Sequence, residues 1–125
     1  VILLPDGGAE QRPDEWWDTI IYTAKKVIAK QLVPVNEIVA ICCSTQWSGT
    51  VAVDRDGTPL MNAIIWLDSR GSRQIRRITG GLVRVAGYGV MKLQRWLRLT
   101  GGIPSHSGKD PIAHILFIKD NNHNE

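Results

Sequence analysis

The sequence has few of the residues that mark several common protein classes. Only two cysteines occur among its 125 residues, and they are adjacent, at Cys42 and Cys43. Because neighbouring side chains on a strand point to opposite faces, a disulfide between them is not expected, and both are predicted to be free, buried thiols in a reducing compartment. No histidine or basic residue lies nearby in the sequence to activate either thiol as a nucleophile.

Long apolar runs and nucleotide-binding motifs are missing as well. No run approaches the roughly 20 apolar residues that span a bilayer, and no signal segment opens the chain, so a membrane partner is not expected. Neither GxxxxGK[ST] nor GxGxxG occurs, and the glycine pairs at 80–81 and 101–102 are interpreted as helix ends. The three histidines do not combine with cysteines or carboxylates at metal-binding spacing, so no metal site is predicted.

The composition that is present, 43% apolar and 22% charged, is typical of one globular domain. Charge is distributed unevenly, with a net charge of −3 over residues 1–62 and +6 over residues 63–125. A basic half can bind nucleic acid. Here, however, the basic residues lie on amphipathic helices without interleaved aromatic residues, so a solvated helix face is the favoured interpretation and no nucleic-acid partner is expected.

Apolar spacing predicts the first elements of secondary structure. Residues 5–12 are predicted to be a loop, followed by an amphipathic helix over residues 13–31 whose tryptophans are interpreted as core anchors. The run "EIVAICCS" (37–44) predicts a strand that is buried on both faces. Residues 50–53 and 61–66 predict a hairpin, with Gly57 supplying the positive φ of its turn.

Three further helices are predicted in the second half of the chain. The first is capped by Asp68 or Ser69 and extends to about residue 79, and the others cover residues 89–99 and 111–121. Residues 1–4 offer one short strand. This order predicts an α/β fold with a mixed sheet and flanking helices. Since strand 37–44 would need more neighbours than the chain supplies, the chain is expected to be incomplete.

Polar and aromatic residues follow two of the predicted strands directly. The stretch "STQWSG" (44–49) places Gln46, Trp47 and Ser48 after the first strand, and Trp66 and Asp68 follow another. Ligands of open α/β sheets bind at the carboxyl ends of strands, and a polyol needs both short polar groups and an apolar ring face. The pattern therefore fits a sugar pocket and fits a tight loop with buried aromatics equally well.

Several ordered segments resemble one family of enzymes. The segment "EQRPDEWWDTI" is similar to the "EQDPxxWW" segment of the FGGY carbohydrate kinases, which include xylulokinase, gluconate kinase and glycerol kinase. The stretch "IVAICCSTQWSGTVAVDRDGTPLMNAIIWLDSR" resembles the family's strand, its "GQxxG" loop and its "DxxGxPLxxAIxWxDxR" hairpin. Residues 107–121, "SGKDPIAHILFIKDN", resemble the segment leading into the family's next helix, whereas residues 71–99 match less well.

The resemblance implies a fold and a set of substrate-binding residues. The fold would be part of a ribonuclease H-like domain of the actin-like ATPase type. Gln46, Trp47 and Ser48 would form the acceptor loop, in which the Trp-Ser pair departs from the pairs of xylulokinases and glycerol kinases and leaves the sugar undefined. Trp66, Asp68 and Arg70 match the family's "WxDxR", and Ser105 falls near a residue that reaches the substrate.

The segments that the family uses for catalysis are not found in this chain. The "DxGTxS" hairpin for phosphate and magnesium is absent, and the catalytic aspartate and the adenosine-binding domain would follow residue 125. Residues 1–125 are therefore predicted to be a partial N-terminal sugar-binding domain without catalytic residues, with ATP and Mg²⁺ bound elsewhere.

The predicted function is ATP-dependent phosphorylation of a sugar, ketose or polyol in the cytoplasm, in a xylulokinase-like reaction. A non-catalytic sugar-binding or regulatory module is the alternative. The expected partner is the small sugar itself, with no nucleic acid and no membrane, and a homodimer is left open.

Overall fold

The computed structural model describes residues 1–121, which form five short strands and four helices. The strands are β1 (Ile2–Leu3), β2 (Ala9–Gln11), β3 (Ala63–Ile64), β4 (Arg84–Val85) and β5 (Tyr88–Gly89). The helices are α1 (Pro13–Ala29), α2 (Ser72–Thr79), α3 (Val90–Thr100) and α4 (Pro111–Asn121), with one 3₁₀ turn at Val35–Glu37. The mixture of strands and helices confirms the predicted α/β class.

The larger sheet has the order β1-β2-β3, and β4 and β5 form a separate hairpin. Ile64 pairs with Glu10 of β2 on one side and with Thr50 on the other, where the two backbones exchange hydrogen bonds of 2.9 Å. A turn with Gly57 at φ +85° joins the arms of the predicted hairpin, although only Ala63–Ile64 forms regular strand. The expected mixed sheet is thus two small sheets whose pairs, within residues 1–121, are all antiparallel.

The core lies between β3, α2 and α4. Its buried apolar side chains are those of Ala9, Ala63, Ile64, Ile65, Ile75 and Ala113. Helix α2 packs closely on α4, and Gly71 permits this approach because a Cβ at that position would lie 2.6 Å from the Cβ of Ala113. These contacts fix the positions of the residues that follow β3.

The predicted buried strand 37–44 is wrong. After the 3₁₀ turn this segment has no regular secondary structure, and all of its side chains are exposed, including Ile41. An apolar run becomes a strand only where neighbouring strands accept its backbone hydrogen bonds, and no such neighbour lies within residues 1–121. Cys42 and Cys43 are accordingly free, as predicted, but exposed rather than buried.

Helix α1 forms as predicted but ends at Ala29 rather than at residue 31, and its apolar face is not covered. Trp17 is 65% exposed, so the interpretation of both tryptophans as core anchors is wrong, and Trp16 alone is half-buried. The helix and the segment after it line an open apolar groove of about 490 Å³. Periodicity therefore predicted the helix correctly but not its burial.

Other boundaries differ in ways that affect the site. Helix α2 begins at Ser72 with Gly71 as its N-cap residue, so the predicted cap at Asp68 or Ser69 is wrong. The predicted loop 5–12 contains β2, which at three residues is too short to show a period. The β4–β5 hairpin was missed for the same reason, whereas α3 and α4 lie within one residue of their predicted bounds.

Candidate acceptor-binding site

The loop 44–49 enters the sheet beside β3. Thr50 pairs with Ile64 in antiparallel register, so Ser48, two residues before Thr50, and Trp66, two residues after Ile64, project from the same end of the sheet. The structure therefore brings the loop 44–49 and Trp66 into one region. Trp66 sits in the turn after β3 and is 47% exposed, so half of its side-chain surface is available to a ligand.

Ser48 has two unusual features in this loop. Its backbone has φ +64°, a left-handed conformation that residues with a Cβ seldom adopt. Its side chain is only 7% exposed, yet its Oγ has no hydrogen-bond partner among the described residues. Left-handed serine backbone and an unpaired buried hydroxyl each cost free energy, and both features concentrate at functional sites. Trp47, next to it, is 79% exposed.

Gln46 is held by Gln11, which in turn is held by Trp16, and sequence reasoning assigned neither residue to the site. Its Nε2 donates to Oε1 of Gln11 at 3.0 Å, and the indole Nε1 of Trp16 donates to the same oxygen at 3.1 Å. The three side chains border a cleft of about 600 Å³ between α1 and the loop, lined by Gln11, Trp16, Ile20, Thr45, Gln46, Gly49 and Val51. The "EQ…WW" motif was the signal for Gln11 and Trp16.

Asp68 is 1% exposed and lies within a hydrogen-bond network. Its Oδ2 accepts from the backbone N–H of Ala9 and from Nε of Arg70, and its Oδ1 accepts from the backbone N–H of Arg70, all at 2.9 Å. The carboxylate thus ties β2 to the chain after β3. A hydroxyl of a ligand would have to share Oδ1, which accepts one of these bonds.

Arg70 completes the network. Its Nη2 contacts Oε1 of Glu10 at 2.7 Å, and its guanidinium lies over the ring of Phe117 at 4.8 Å. Burial acts against its charge, but hydrogen bonds and ion pairs with Asp68 and Glu10 outweigh burial and raise the pKa of Arg70. A permanently charged arginine between two carboxylates holds β2, β3 and α4 together.

Ser105 lies in the loop before α4 and is exposed. Its Oγ is 2.9 Å from Oγ of Ser107, and its backbone N–H donates to Oδ2 of Asp110 at 2.6 Å. No hydrogen bond among residues 1–121 joins Ser105 to Gln46, Trp47 or Trp66. The structure therefore places Trp66 and Asp68 directly after β3 with Ser48 beside them in register, holds Gln46 against Gln11 of β2, and leaves Ser105 in its own loop.

His114, which the sequence did not mark as functional, lies beneath the site. Its Nδ1 is 3.2 Å from Oγ1 of Thr50, and its Nε2 has no hydrogen-bond partner among the described residues. Burial lowers the pKa of His114, and the nearby charges of Asp68 and Asp110 only partly oppose this. The imidazole of His114 thus joins α4 to Thr50, which follows the loop 44–49.

Within residues 1–121 no group of three or more His, Cys, Asp or Glu side chains is placed to hold a metal ion. No helix in that range has the length and apolar character to cross a bilayer.

Comparison with known families defines the class of protein. Residues 3–93 match the N-terminal domain of the FGGY family of carbohydrate kinases. This match covers more than half of the chain, and the chain therefore belongs to the FGGY family of carbohydrate kinases. The FGGY N-terminal domain has the actin-like ATPase fold, which confirms the predicted fold class.

Individual relatives agree with this assignment. The chain is 31% identical over 121 residues to a glycerol kinase of Thermococcus gammatolerans, covering 89% of this chain and 24% of the relative. It is 38% identical over 72 residues to a xylulose kinase of Staphylococcus epidermidis, covering 58% of this chain and 14% of the relative. The chain thus spans about a quarter or less of these relatives.

A solved structure is similar as well. The crystal structure of a protein described as a xyloylose kinase from Brucella ovis superimposes with a TM-score of 0.51 at 26% identity. The superposition covers 76% of this chain and 22% of that one.

Proposed function

We propose that this chain is part of the N-terminal, sugar-binding domain of a two-domain cytoplasmic kinase. The whole protein transfers a phosphoryl group from ATP, with Mg²⁺, to a hydroxyl of a small sugar, ketose or polyol. Family membership and the names of the relatives, glycerol kinase and xylulose kinase, support the reaction class. Because the chain spans only about a quarter of those relatives, its own residues are assigned to acceptor binding alone.

The observation that carries this assignment is the state of Ser48. A buried hydroxyl without a partner costs about 1–3 kcal/mol, and a left-handed serine costs a similar amount. A hydroxyl of the acceptor would supply the missing hydrogen bond. Trp47 beside it and Trp66 opposite it would cover the C–H faces of the same molecule.

The remaining predicted residues have narrower roles in this proposal. Ser105 would reach the acceptor only when its exposed loop approaches the end of β3. Asp68 would accept one acceptor hydroxyl through Oδ1, while its bonds to Ala9 and Arg70 keep the carboxylate in place. These roles are separable, since a residue that only holds the sheet together affects folding and not the choice of acceptor.

Phosphoryl transfer depends chiefly on positioning and on neutralisation of charge. ATP and Mg²⁺ would supply the transferred group and the charge neutralisation, and we place the residues that bind them, together with the catalytic aspartate, outside this chain. The residues in this chain would hold the acceptor so that one hydroxyl faces the incoming phosphoryl group. A small misplacement of that hydroxyl would lower kcat, because the reaction requires near-alignment of the reacting atoms.

The Trp-Ser pair at 47–48 bears on which acceptor is used. A large exposed indole next to a small hydroxyl favours an acceptor with an extended apolar face and one buried polar contact. Glycerol, xylulose and gluconate represent the acceptors of the family and differ in size and charge. The proposed acceptor is therefore a ketose, a polyol or a sugar acid.

The test is an ADP-release assay on the full-length kinase with a panel of glycerol, ribitol, xylulose, ribulose and gluconate. We expect one acceptor to give sugar-dependent ADP release with a kcat/KM at least tenfold above the others. A protein that binds one of these sugars in calorimetry but never releases ADP would be the non-catalytic binding module instead. A protein that neither binds nor phosphorylates any of them would overturn the proposal.

A further inference from the structure

We propose that Trp16 and Gln11 are positioning residues that fix which end of the Gln46 amide faces the acceptor. The three side chains form a relay in which each hydrogen bond determines the polarity of the next. The consequence is that Gln46 presents its carbonyl oxygen to a hydroxyl of the acceptor. This inference rests on the proposed function, because it concerns the same acceptor loop.

The relay begins at the indole of Trp16. An indole N–H can only donate, so the group that meets it must be an acceptor. Trp16 Nε1 lies 3.1 Å from Oε1 of Gln11, and the Gln11 amide is thereby oriented with its oxygen toward the indole. Rotating that amide by half a turn would place two N–H donors against the indole N–H.

The orientation of the Gln11 amide determines the orientation of the Gln46 amide. The same Oε1 of Gln11 is 3.0 Å from Nε2 of Gln46, so it accepts from both side chains. An oxygen with two lone pairs can do so, and Gln46 must then use its amide nitrogen as the donor. Oε1 of Gln46 takes part in neither bond and is left to accept a hydrogen bond from a ligand.

Regular secondary structure fixes the backbone positions of Gln11 and Trp16. Gln11 is the last residue of β2 and pairs with Ala63 of β3. Trp16 is the fourth residue of α1, in its first turn, and is half-buried. The relay therefore connects β2 and α1 to the loop residue Gln46. The positions of the strand and the helix fix the orientation of its hydrogen bonds.

This geometry predicts specificity for one hydroxyl of the acceptor. The acceptor hydroxyl that meets Gln46 has to donate a hydrogen bond, while the unpaired hydroxyl of Ser48, two residues later, can donate or accept. Analogues in which that hydroxyl is replaced by hydrogen would leave Oε1 of Gln46 unpaired. Discrimination would therefore fall on one position of the acceptor.

The test uses single and double variants of the full-length kinase, assayed for the KM of the best acceptor and for the KM of ATP. Trp16→Phe keeps the ring but removes the donor, so both orientations of the Gln11 amide become available and the acceptor KM should rise about two- to fivefold. Trp17→Phe is the matched control, because that indole is exposed and outside the relay. Neither change should alter the KM of ATP.

Gln11→Glu provides a rescue that a merely structural role would not give. A carboxylate accepts in either orientation, so it should hold the Gln46 amide correctly without help from Trp16. The double variant Trp16→Phe/Gln11→Glu should therefore return the acceptor KM to within about twofold of the value for Gln11→Glu alone. Gln11→Leu, which cannot accept at all, should not rescue Trp16→Phe.

The outcomes separate the relay from the function on which it rests. If the wild-type kinase phosphorylates an acceptor but Trp16→Phe behaves like Trp17→Phe, or the double variant is no better than Trp16→Phe, the relay is wrong. If the wild-type kinase neither binds nor phosphorylates any acceptor in the panel, the proposed function and the relay both fail. Thermal melting of each variant shows whether an effect comes from lost folding instead.

Discussion

Two regions of this chain have similar apolar patterns but very different burial. Around β3, α2 and α4, apolar side chains such as Ile64 and Ile75 are completely enclosed. Along α1 and the segment 37–44, equally apolar side chains such as Ile28 and Ile41 face the outside. The first region carries the bonds that position the residues after β3, and the second carries an open groove.

The difference shows that apolar spacing predicts which face of a segment is apolar, but not whether another element covers that face. Helix α1 forms because its backbone hydrogen bonds are internal, so the helix does not depend on a neighbour. Segment 37–44 cannot form a strand by itself, since each strand's bonds go to another strand.

The largest effect is expected when the 125-residue chain is studied alone. With one face of α1 and the whole of segment 37–44 uncovered, we expect a broad, low-temperature melt and a tendency to associate. We also expect no sugar-stimulated ATP hydrolysis. Circular dichroism melts and an ADP-release assay check both statements, and a sharp transition in a monomer, or measurable turnover, would contradict them.

Matched isoleucine truncations compare the two regions directly. Ile75→Ala creates a cavity at a fully buried site and should cost about 2–5 kcal/mol in the free energy of unfolding. Ile28→Ala removes the same atoms from a side chain that is 47% exposed and should cost much less, about 0.5–1 kcal/mol. Denaturant titration of the full-length kinase measures both values. Equal losses would mean that α1 is as well covered as α2.

The buried carboxylate of Asp68 gives the next largest effect. Asp68→Asn keeps the shape but loses the charge that faces Arg70, and we expect a loss of about 1–3 kcal/mol in the free energy of unfolding. Asp56→Asn, in the exposed hairpin turn, is a control with the same chemical change. A variant that keeps its stability but loses acceptor binding would assign Asp68 to the acceptor rather than to the network.

The same contrast explains which parts of the fold and of the candidate site could be predicted from the sequence. The helices and the turn at Gly57 followed from local rules, since helix periods and positive φ depend on adjacent residues. The exposure of residues 37–44 and of Trp17 could not be inferred, because burial depends on partners that are distant in sequence. Gln11 illustrates the same limit at the site, since its contact with Gln46 spans 35 positions.

A smaller effect is expected from pH. The lowered pKa of His114 means that the folded chain binds fewer protons there than the unfolded chain, so stability falls as pH drops below the unfolded value of about 6.5. His114→Gln should flatten this part of the profile of melting temperature against pH between 7 and 5. His106→Gln is the control, and an unchanged slope in His114→Gln would contradict the assignment.

The most direct test of the central claim, that the loop 44–49 recognises the acceptor, is the acceptor KM of Ser48→Ala in the full-length kinase. Removing the buried Oγ should raise that KM about three- to tenfold, the effect of one lost hydrogen bond, and leave the KM of ATP within twofold. Ser72→Ala, at the start of α2 and outside the proposed site, is the matched control. Unchanged kinetics for every acceptor in the panel would show that this loop does not contact the sugar.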